Sequence, residues 1–273
     1  MLSDITLGQF FPGNSVLHRM DPRIKLILSI LYIVGVFLAK NTYGFVILAL
    51  FCALVVLLSR ISVKVLIKSL KPIIILVLFT AVINLFFTNG KIPVFEWKFI
   101  HIYQEGIYYA VFMAIRIVCL LLGTSVILTY TTSPMALTDA IERLLSPLKK
   151  IHLPVHEFAM IMTIALRFIP TLIEETNKIM NAQKARGADF TSGGLIMRAK
   201  ALVPILIPLF ISAFRRADEL ATAMECRCYH GGDGRTRYKV LKIGAADIIS
   251  LFVMTAFCAA IVLANIYFEG FSI

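Results

Sequence analysis

Apolar and polar positions fall along this chain in long helical blocks rather than in short alternations. Five runs are apolar over helical lengths: Ile24–Ala39, Phe45–Leu58, Pro72–Phe87, Ile107–Tyr130 and Ile248–Phe268. Their lengths approach or match the ~20 residues that cross a hydrocarbon core, so each is predicted to span a membrane. Two further runs, Phe158–Pro170 and Leu202–Phe214, are only about 13 residues each and fall short of that length. They form the front halves of two longer stretches, Val155–Gly187 and Leu195–Tyr229, whose back halves are polar. Helices built this way are expected to lie along a membrane face with the polar half in water.

Local punctuation fits these blocks. Asp21-Pro22 opens the first span, an N-cap followed by a proline whose missing N–H costs nothing at the first helical position. Asn41-Thr42-Tyr43-Gly44 reads as a tight turn. Arg60, Lys64, Lys68 and Lys71 read as a basic connection, and Thr88–Glu105 as a polar loop. Ser133-Pro134 starts a short amphipathic helix, Met135–Lys149, with Leu137, Ile141, Leu144, Leu145 and Leu148 on one face and Pro147 marking its end. The first long stretch should bend at Pro170 and stop at Gly187; the second should bend at Pro204 and Pro208 and stop at Gly231-Gly232. Ala213, Ala217 and Ala221 recur every four residues, a small-residue seam for which the first long helix is the natural partner, in a crossed pair. Arg235, Arg237, Lys239 and Lys242 form a basic collar, and Asp247 is expected to cap the last span.

Composition and charge sharpen this picture. The chain is 59% apolar, above the 45–50% or so usual for soluble domains. A net charge of +11 raises nucleic acid as a partner, but the placement of the charges is that of a membrane protein. With five spans and the N-terminus inside, only Lys40, Lys91 and Lys98 of the 27 basic residues fall outside, and Arg116 lies within a span. A seven-span alternative would move Lys178, Lys184, Arg186, Arg198 and Lys200 to the outer face, so it is rejected. The expected fold class is an all-α polytopic membrane protein. It has four spans in residues 1–131, an interfacial or cytoplasmic helical region in 132–243 and a last span in 244–273. The first twenty residues carry no apolar leader core, so no cleavable signal peptide is expected.

Few residues carry recognisable chemistry. The five cysteines form no disulfide framework, and Cys226-x-Cys228-x-His230 lacks the fourth ligand and the C-x-x-C spacing of a structural zinc site. No phosphate-binding loop, nucleophile–base pair or paired carboxylates are present, so neither catalysis nor a bound cofactor is expected in this chain. Glu174, Glu175, Asp218 and Glu219 read as ion-pair partners for Lys178, Arg215 and Arg216. Arg116 is costly inside a span and marks a functional or paired group, or, since no acidic residue falls in any span, one that snorkels or meets water. The distinctive positions are Arg186 and Arg227. Each closes a long helix, where a cation suits the macrodipole, and each is flanked by small residues: Ala185 and Gly187, Cys226 and Cys228. Two solvated arginines at helix ends are the bland alternative.

Several stretches together resemble the transmembrane component of energy-coupling factor transporters, EcfT. They are Gly8-Gln9-Phe10-Phe11-Pro12-Gly13-Asn14-Ser15, His18-Arg19-Met20-Asp21-Pro22-Arg23-Ile24-Lys25-Leu26, Arg167-Phe168-Ile169-Pro170, Ala182-Gln183-Lys184-Ala185-Arg186-Gly187, Arg216-Ala217-Asp218-Glu219-Leu220 and Gly232-Asp233-Gly234-Arg235-Thr236-Arg237. The resemblance implies a non-catalytic subunit of a vitamin importer in the plasma membrane. Two ATP-binding cassette subunits, which hold the ATP and Mg, would lie beneath it, with an exchangeable substrate-binding membrane subunit beside it. It implies that X-Arg-X helix ends dock into the ATPases, here Ala185-Arg186-Gly187 and Cys226-Arg227-Cys228, the second departing from the commoner Ala-Arg-Gly form. Arg167, Pro170, Ala213, Ala217, Ala221 and Arg216 stand as supporting positions. ATP-driven movement of the two helix tips would then tilt the substrate-binding subunit.

Three rivals remain at this level. A dedicated cobalt or nickel importer scaffold would share the fold and differ in partners. A self-sufficient secondary transporter should show ionisable groups at the midplane or matched broken spans. A membrane-embedded enzyme needs a catalytic cluster.

Overall fold

The computed structural model describes residues 10–88, 93–97, 100–151, 154–188, 190, 194–232, 241 and 243–268. The basic collar at Arg235, Arg237, Lys239 and Lys242, residues 233–237 as a whole and the lead-in residues Gly8-Gln9 lie outside these. The helices are α1 (Val16–Arg19), α2 (Pro22–Leu38), α3 (Thr42–Ser59), α4 (Val63–Phe87), α5 (Gln104–Thr124), α6 (Pro134–Leu145), α7 (Val155–Ala185), α8 (Leu195–Glu225) and α9 (Ala245–Tyr267). A π-helical turn, Ser125–Thr129, extends α5, and a 3₁₀ segment, Ser146–Ile151, follows α6. The architecture is all-α in class, with one small exception. The stretch expected as a polar loop forms an antiparallel hairpin of β1 (Pro93–Trp97) and β2 (Ile100–Tyr103), because two extended segments there satisfy each other's backbone groups.

Other boundaries differ for local reasons. The basic connection belongs to α4: helix begins at Val63, so Lys64, Lys68 and Lys71 lie on its first turns and Pro72 sits inside it. Asp21 caps α2 as expected, its side chain accepting from the Arg23 backbone N–H. Asp247 is not the cap of α9. Gly244 is, and Asp247 occupies the third helical position, reaching back to accept the Gly244 N–H at 2.8 Å.

Among the described residues five helices are long and apolar enough to cross a membrane: α3, α4, α5 with its π-turn, α7 and α9. At 17 residues, α2 is a residue shorter than α3, yet it carries the same kind of apolar run. The chain is thus a multi-pass membrane protein. The run Phe158–Pro170, expected to fall short of a span, belongs to α7, whose 31 continuous residues with an apolar first half make it long and apolar enough to cross.

Contacts divide the described residues into two units, one within Ile141–Lys239 and the other within Gly8–Ala140 and Val240–Ile273. In the second unit α2, α3, α5 and α9 pack around Tyr32, Val36, Phe45, Leu48, Val126, Ile127 and Ile261, all buried, while α4 lies against α5. Aromatic rings fill the centre: Phe51 and Phe257 stack at 4.0 Å between centroids, with Tyr32 at 6.2 Å from each, and Phe45 stacks on Phe112 at 4.7 Å. Tyr32 donates to the Cys119 carbonyl at 2.8 Å. It fits because residue 123 is glycine; a Cβ there would overlap the tyrosine ring.

Polar ties mark the two ends of this bundle. At one end the Asp247 carboxylate accepts the Asp21 N–H at 2.9 Å, Lys25 donates to the Thr131 carbonyl at 2.8 Å, and the Phe11 N–H donates to the Tyr130 carbonyl at 3.0 Å. At the other, Asn41 donates to the Phe268 carbonyl at 2.8 Å and Asn265 to the Leu38 carbonyl at 2.6 Å. Arg116 is a paired group. Its guanidinium donates to the Ala39 carbonyl at 2.6 Å, where α2 ends, and lies 5.2 Å from the centre of the Phe45 ring. The outer surfaces of α3, α4 and α9 keep large apolar side chains such as Leu57, Phe87 and Phe252 exposed, as a lipid solvent requires.

Candidate functional site

The long helices α7 and α8 form the body of the other unit, and their contacts give their sense. Glu175, in the second half of α7, accepts from Arg216 at 2.9 Å and from the Ser212 hydroxyl, both in the second half of α8. Nearer the start of α7, Met160 lines a cavity of 390 Å³ with Met224, Arg227, Cys228, Tyr229, His230 and Gly231 from the end of α8. Residue numbers therefore rise on one helix as they fall on the other, and the two run antiparallel. Each has 31 residues, about 46 Å of helix. The C-terminus of α7 and the C-terminus of α8 consequently lie at opposite ends of the pair.

Both ends close with the same turn. At α7 the Ala188 N–H donates to the Gln183 carbonyl at 3.0 Å and the Gly187 N–H to Lys184 at 2.9 Å, with Gly187 at φ 88°. At α8 the Tyr229 N–H donates to the Met224 carbonyl at 3.1 Å and the Cys228 N–H to Glu225 at 2.9 Å, with Cys228 at φ 53°. These are the paired bonds of a Schellman motif, which satisfies the last carbonyls of a helix through one left-handed residue. Cys228 thus takes the place of Gly187, and α8 stops at Glu225 rather than running on to Tyr229.

In each turn the residue before the left-handed one is arginine. Arg186 and Arg227 are exposed, as are Ala185, Gly187, Cys226 and Cys228. Among the described residues neither arginine side chain meets a carboxylate. Each site is therefore a cation held at the negative end of a helix, with small neighbours and unoccupied hydrogen-bonding capacity. Among the described residues no group of three or more His, Cys, Asp or Glu side chains is arranged to hold a metal ion.

The supporting positions divide. Arg216 joins α8 to α7 through Glu175, an ion pair with both partners only part-buried. Pro170 lies inside α7, and Arg167 is exposed one turn before it. The alanine seam does not seat α7: Ala217 and Ala221 are exposed and Ala213 half-buried. The polar contacts of Ser212 and Arg216, one position earlier in the helical repeat, fix the register instead. Sequence reading missed His156, near the start of α7. Its Nδ1 lies 2.9 Å from the Glu142 carboxylate, and its ring packs so closely on Gly232 that a Cβ there would collide with it. Only a histidine and a glycine 76 positions apart, with no shared motif, hinted at that contact.

Comparison with known proteins gives a consistent result. Residues 13–238 match the family model described as CbiQ, cobalt transport protein. The chain is 56% identical over 263 residues to the energy-coupling factor transporter transmembrane protein EcfT of Clostridium kluyveri, covering 96% of this chain and 97% of that one. It is 53% identical over 268 residues to the protein of the same description from Ruminiclostridium cellulolyticum, covering 98% and 100%. Against that of Bacillus subtilis it is 49% identical over 259 residues, covering 94% and 97%.

Proposed function

The chain belongs to the family of energy-coupling factor transporter transmembrane proteins, EcfT, and from that premise we propose that it couples two ATPase subunits to a substrate-binding membrane subunit in a vitamin importer. The observation that carries this reading is the pair of exposed arginines, each at a left-handed helix stop, at opposite ends of one antiparallel helix pair. A single docking partner would need one such end. Two well-separated ends suit two motor subunits. Each arginine meets a carboxylate or a set of carbonyls in an ATPase cleft, and the small residues beside it let the helix tip enter.

Movement follows from rigid-body mechanics. When ATP draws the ATPases together, the tips of α7 and α8 move with them, and the apolar front halves turn relative to one another. Phe158, Ile161, Leu206 and Phe210 on those halves are exposed and form the grip on the substrate-binding subunit. The distribution of basic residues along the sequence argues for an N-terminus and helix tips in the cytoplasm. ATP and Mg belong to the partner subunits.

The description of the matching family model favours one second reading, a scaffold for a dedicated cobalt or nickel importer. Purification of the tagged chain from its own cell distinguishes them. Two ATPases with several substrate-binding proteins support the shared vitamin scaffold, whereas one dedicated binding protein supports the metal importer. Recovery with no ATPase sinks both.

A further inference from the structure

A second surface has the chemistry of a ligand site, and it lies in the membrane bundle rather than on α7 and α8. Outward-facing residues of α3, among them Leu50, Leu54 and Leu57, form an apolar furrow that leads to the end of the helix. There α1 and the turn before it meet it, enclosing a cavity of 680 Å³ whose polar lining includes Asn14, Arg19 and Arg60. From Leu50 to the helix end is about 13 Å of helix, so the furrow runs from the hydrocarbon layer to its edge and the two arginines sit at that edge.

These two arginines line the cavity, whereas two neighbouring basic residues at the same end of the bundle are engaged within the protein. Arg23 is engaged by Asp21 at 2.7 Å, and Lys25 donates to the Thr131 carbonyl and the Thr132 hydroxyl. Among the described residues Arg19 and Arg60 have exposed side chains with no protein partner. Arg60 is also placed by its backbone: it reverses the chain after α3 in the left-handed conformation, at φ 55° and ψ 26°, so that it follows directly on the furrow.

We propose that this cavity binds an anionic phospholipid, its phosphate held between Arg19 and Arg60 and one acyl chain laid along Leu50, Leu54 and Leu57. Charge complementarity and position argue for this occupant together. Two unpaired guanidiniums favour a phosphate, which they can grip bidentately, and an apolar furrow of that length in a membrane-facing helix favours a hydrocarbon chain. A free phosphate would leave the furrow unused, and a zwitterionic lipid would leave the two positive charges partly uncompensated. Basic pockets at the ends of membrane helices recognise anionic headgroups on this principle, at roughly fivefold in preference for each basic side chain.

The test uses the full chain, co-expressed with the transporter subunits that purify with it and reconstituted in vesicles. Leu54→Trp, in a Trp97→Phe background that removes the one native tryptophan, places a fluorophore in the furrow. Brominated phosphatidylglycerol is compared with brominated phosphatidylcholine as quencher. The expected result is a preference for phosphatidylglycerol of at least roughly tenfold. Arg19→Gln and Arg60→Gln should each lower it about fivefold, the pair together should abolish it, and the double lysine variant should keep most of it. Retention of the partner subunits on size exclusion checks that the variants are folded. Equal quenching by the two lipids overturns the proposal, as does a preference that survives the double glutamine variant. Absence of quenching by either lipid means that protein, a transporter subunit or a second copy, fills the furrow, and also overturns it. Displacement by excess inorganic phosphate would make the site one for free anions and count equally against it.

Discussion

The carboxylate of Asp247 accepts the backbone N–H of Asp21 at 2.9 Å, joining two residues 226 positions apart in the chain. Its second oxygen accepts the Gly244 N–H at 2.8 Å. One buried side chain thus ties the start of the last span to the start of the first, and it does so through helix-end N–H groups that would otherwise lack partners. Asp21 in turn holds Arg23 at 2.7 Å, which reaches the Leu241 carbonyl at 3.3 Å. The joint therefore closes on itself.

Asp247→Ala should lower stability by about 2 kcal/mol, because it leaves two backbone donors unsatisfied. Asp247→Asn keeps one acceptor oxygen but turns its NH2 toward the other backbone N–H, so it should cost about half of that or somewhat more. Thermal unfolding of the purified protein, followed by the loss of monodisperse species, measures the difference. Equal effects from the two substitutions would show that charge, rather than acceptor geometry, holds the joint.

Arg186→Ala and Arg227→Ala should each weaken ATPase association by roughly tenfold or more, the loss of a charge-assisted contact, while leaving the melting temperature unchanged, since both side chains are exposed. Because the arginines occupy opposite ends of α7 and α8, their free-energy effects should add. The readout is ATPase recovered per tagged chain, with vitamin uptake in cells alongside. Wild-type uptake in the double variant would remove these residues from the docking role.

Cys228 carries a conformational cost that Gly187 does not, because a Cβ disfavours the left-handed region. Cys228→Gly should stabilise the protein by about 1 kcal/mol, and Gly187→Cys should destabilise it by a similar amount. Opposite shifts in melting temperature are the expected outcome. Since the flanking residue stays small in Cys228→Gly, ATPase binding should be retained.

Gly123→Ala forces a methyl group into the Tyr32 ring, which is fully buried. A loss of about 1–3 kcal/mol is expected from overpacking. Tyr32→Leu creates room, so the double variant should be more stable than the sum of the two single effects predicts. Strict additivity in that thermal-unfolding cycle would mean that the contact does not govern the packing of α2 on α5.

Much of the fold was legible because its signals are local. Apolar run length found the helices α3, α4, α5 and α9 but set α7 aside, Asp21-Pro22 and Ser133-Pro134 marked helix starts, and the stop at Gly187 followed from glycine alone. The stop of α8 comes before Gly231, because Cys228 adopts the left-handed conformation that a cysteine does not advertise. The alignment of each arginine with its stop was plain, since both lie within three residues of one helix end. The seam of alanines misled because small residues permit a close approach without requiring one, and the Glu175 contacts to Ser212 and Arg216 set the helix register.

What the sequence determined by itself has its cause within a few turns of chain: where the long helices run, which runs are strongly apolar, and that each long helix ends in an arginine. What only the tertiary structure decided was pairing. Arg116 could be read as costly but not as the donor to the Ala39 carbonyl, and nothing local announced that Asp247 meets Asp21. Likewise, that the two arginine tips stand at opposite ends of one helix pair follows from antiparallel packing. The physical reason is range: hydrogen bonding and hydrophobic periodicity act over a few residues, whereas a contact between distant residues exists only once packing has brought their helices together.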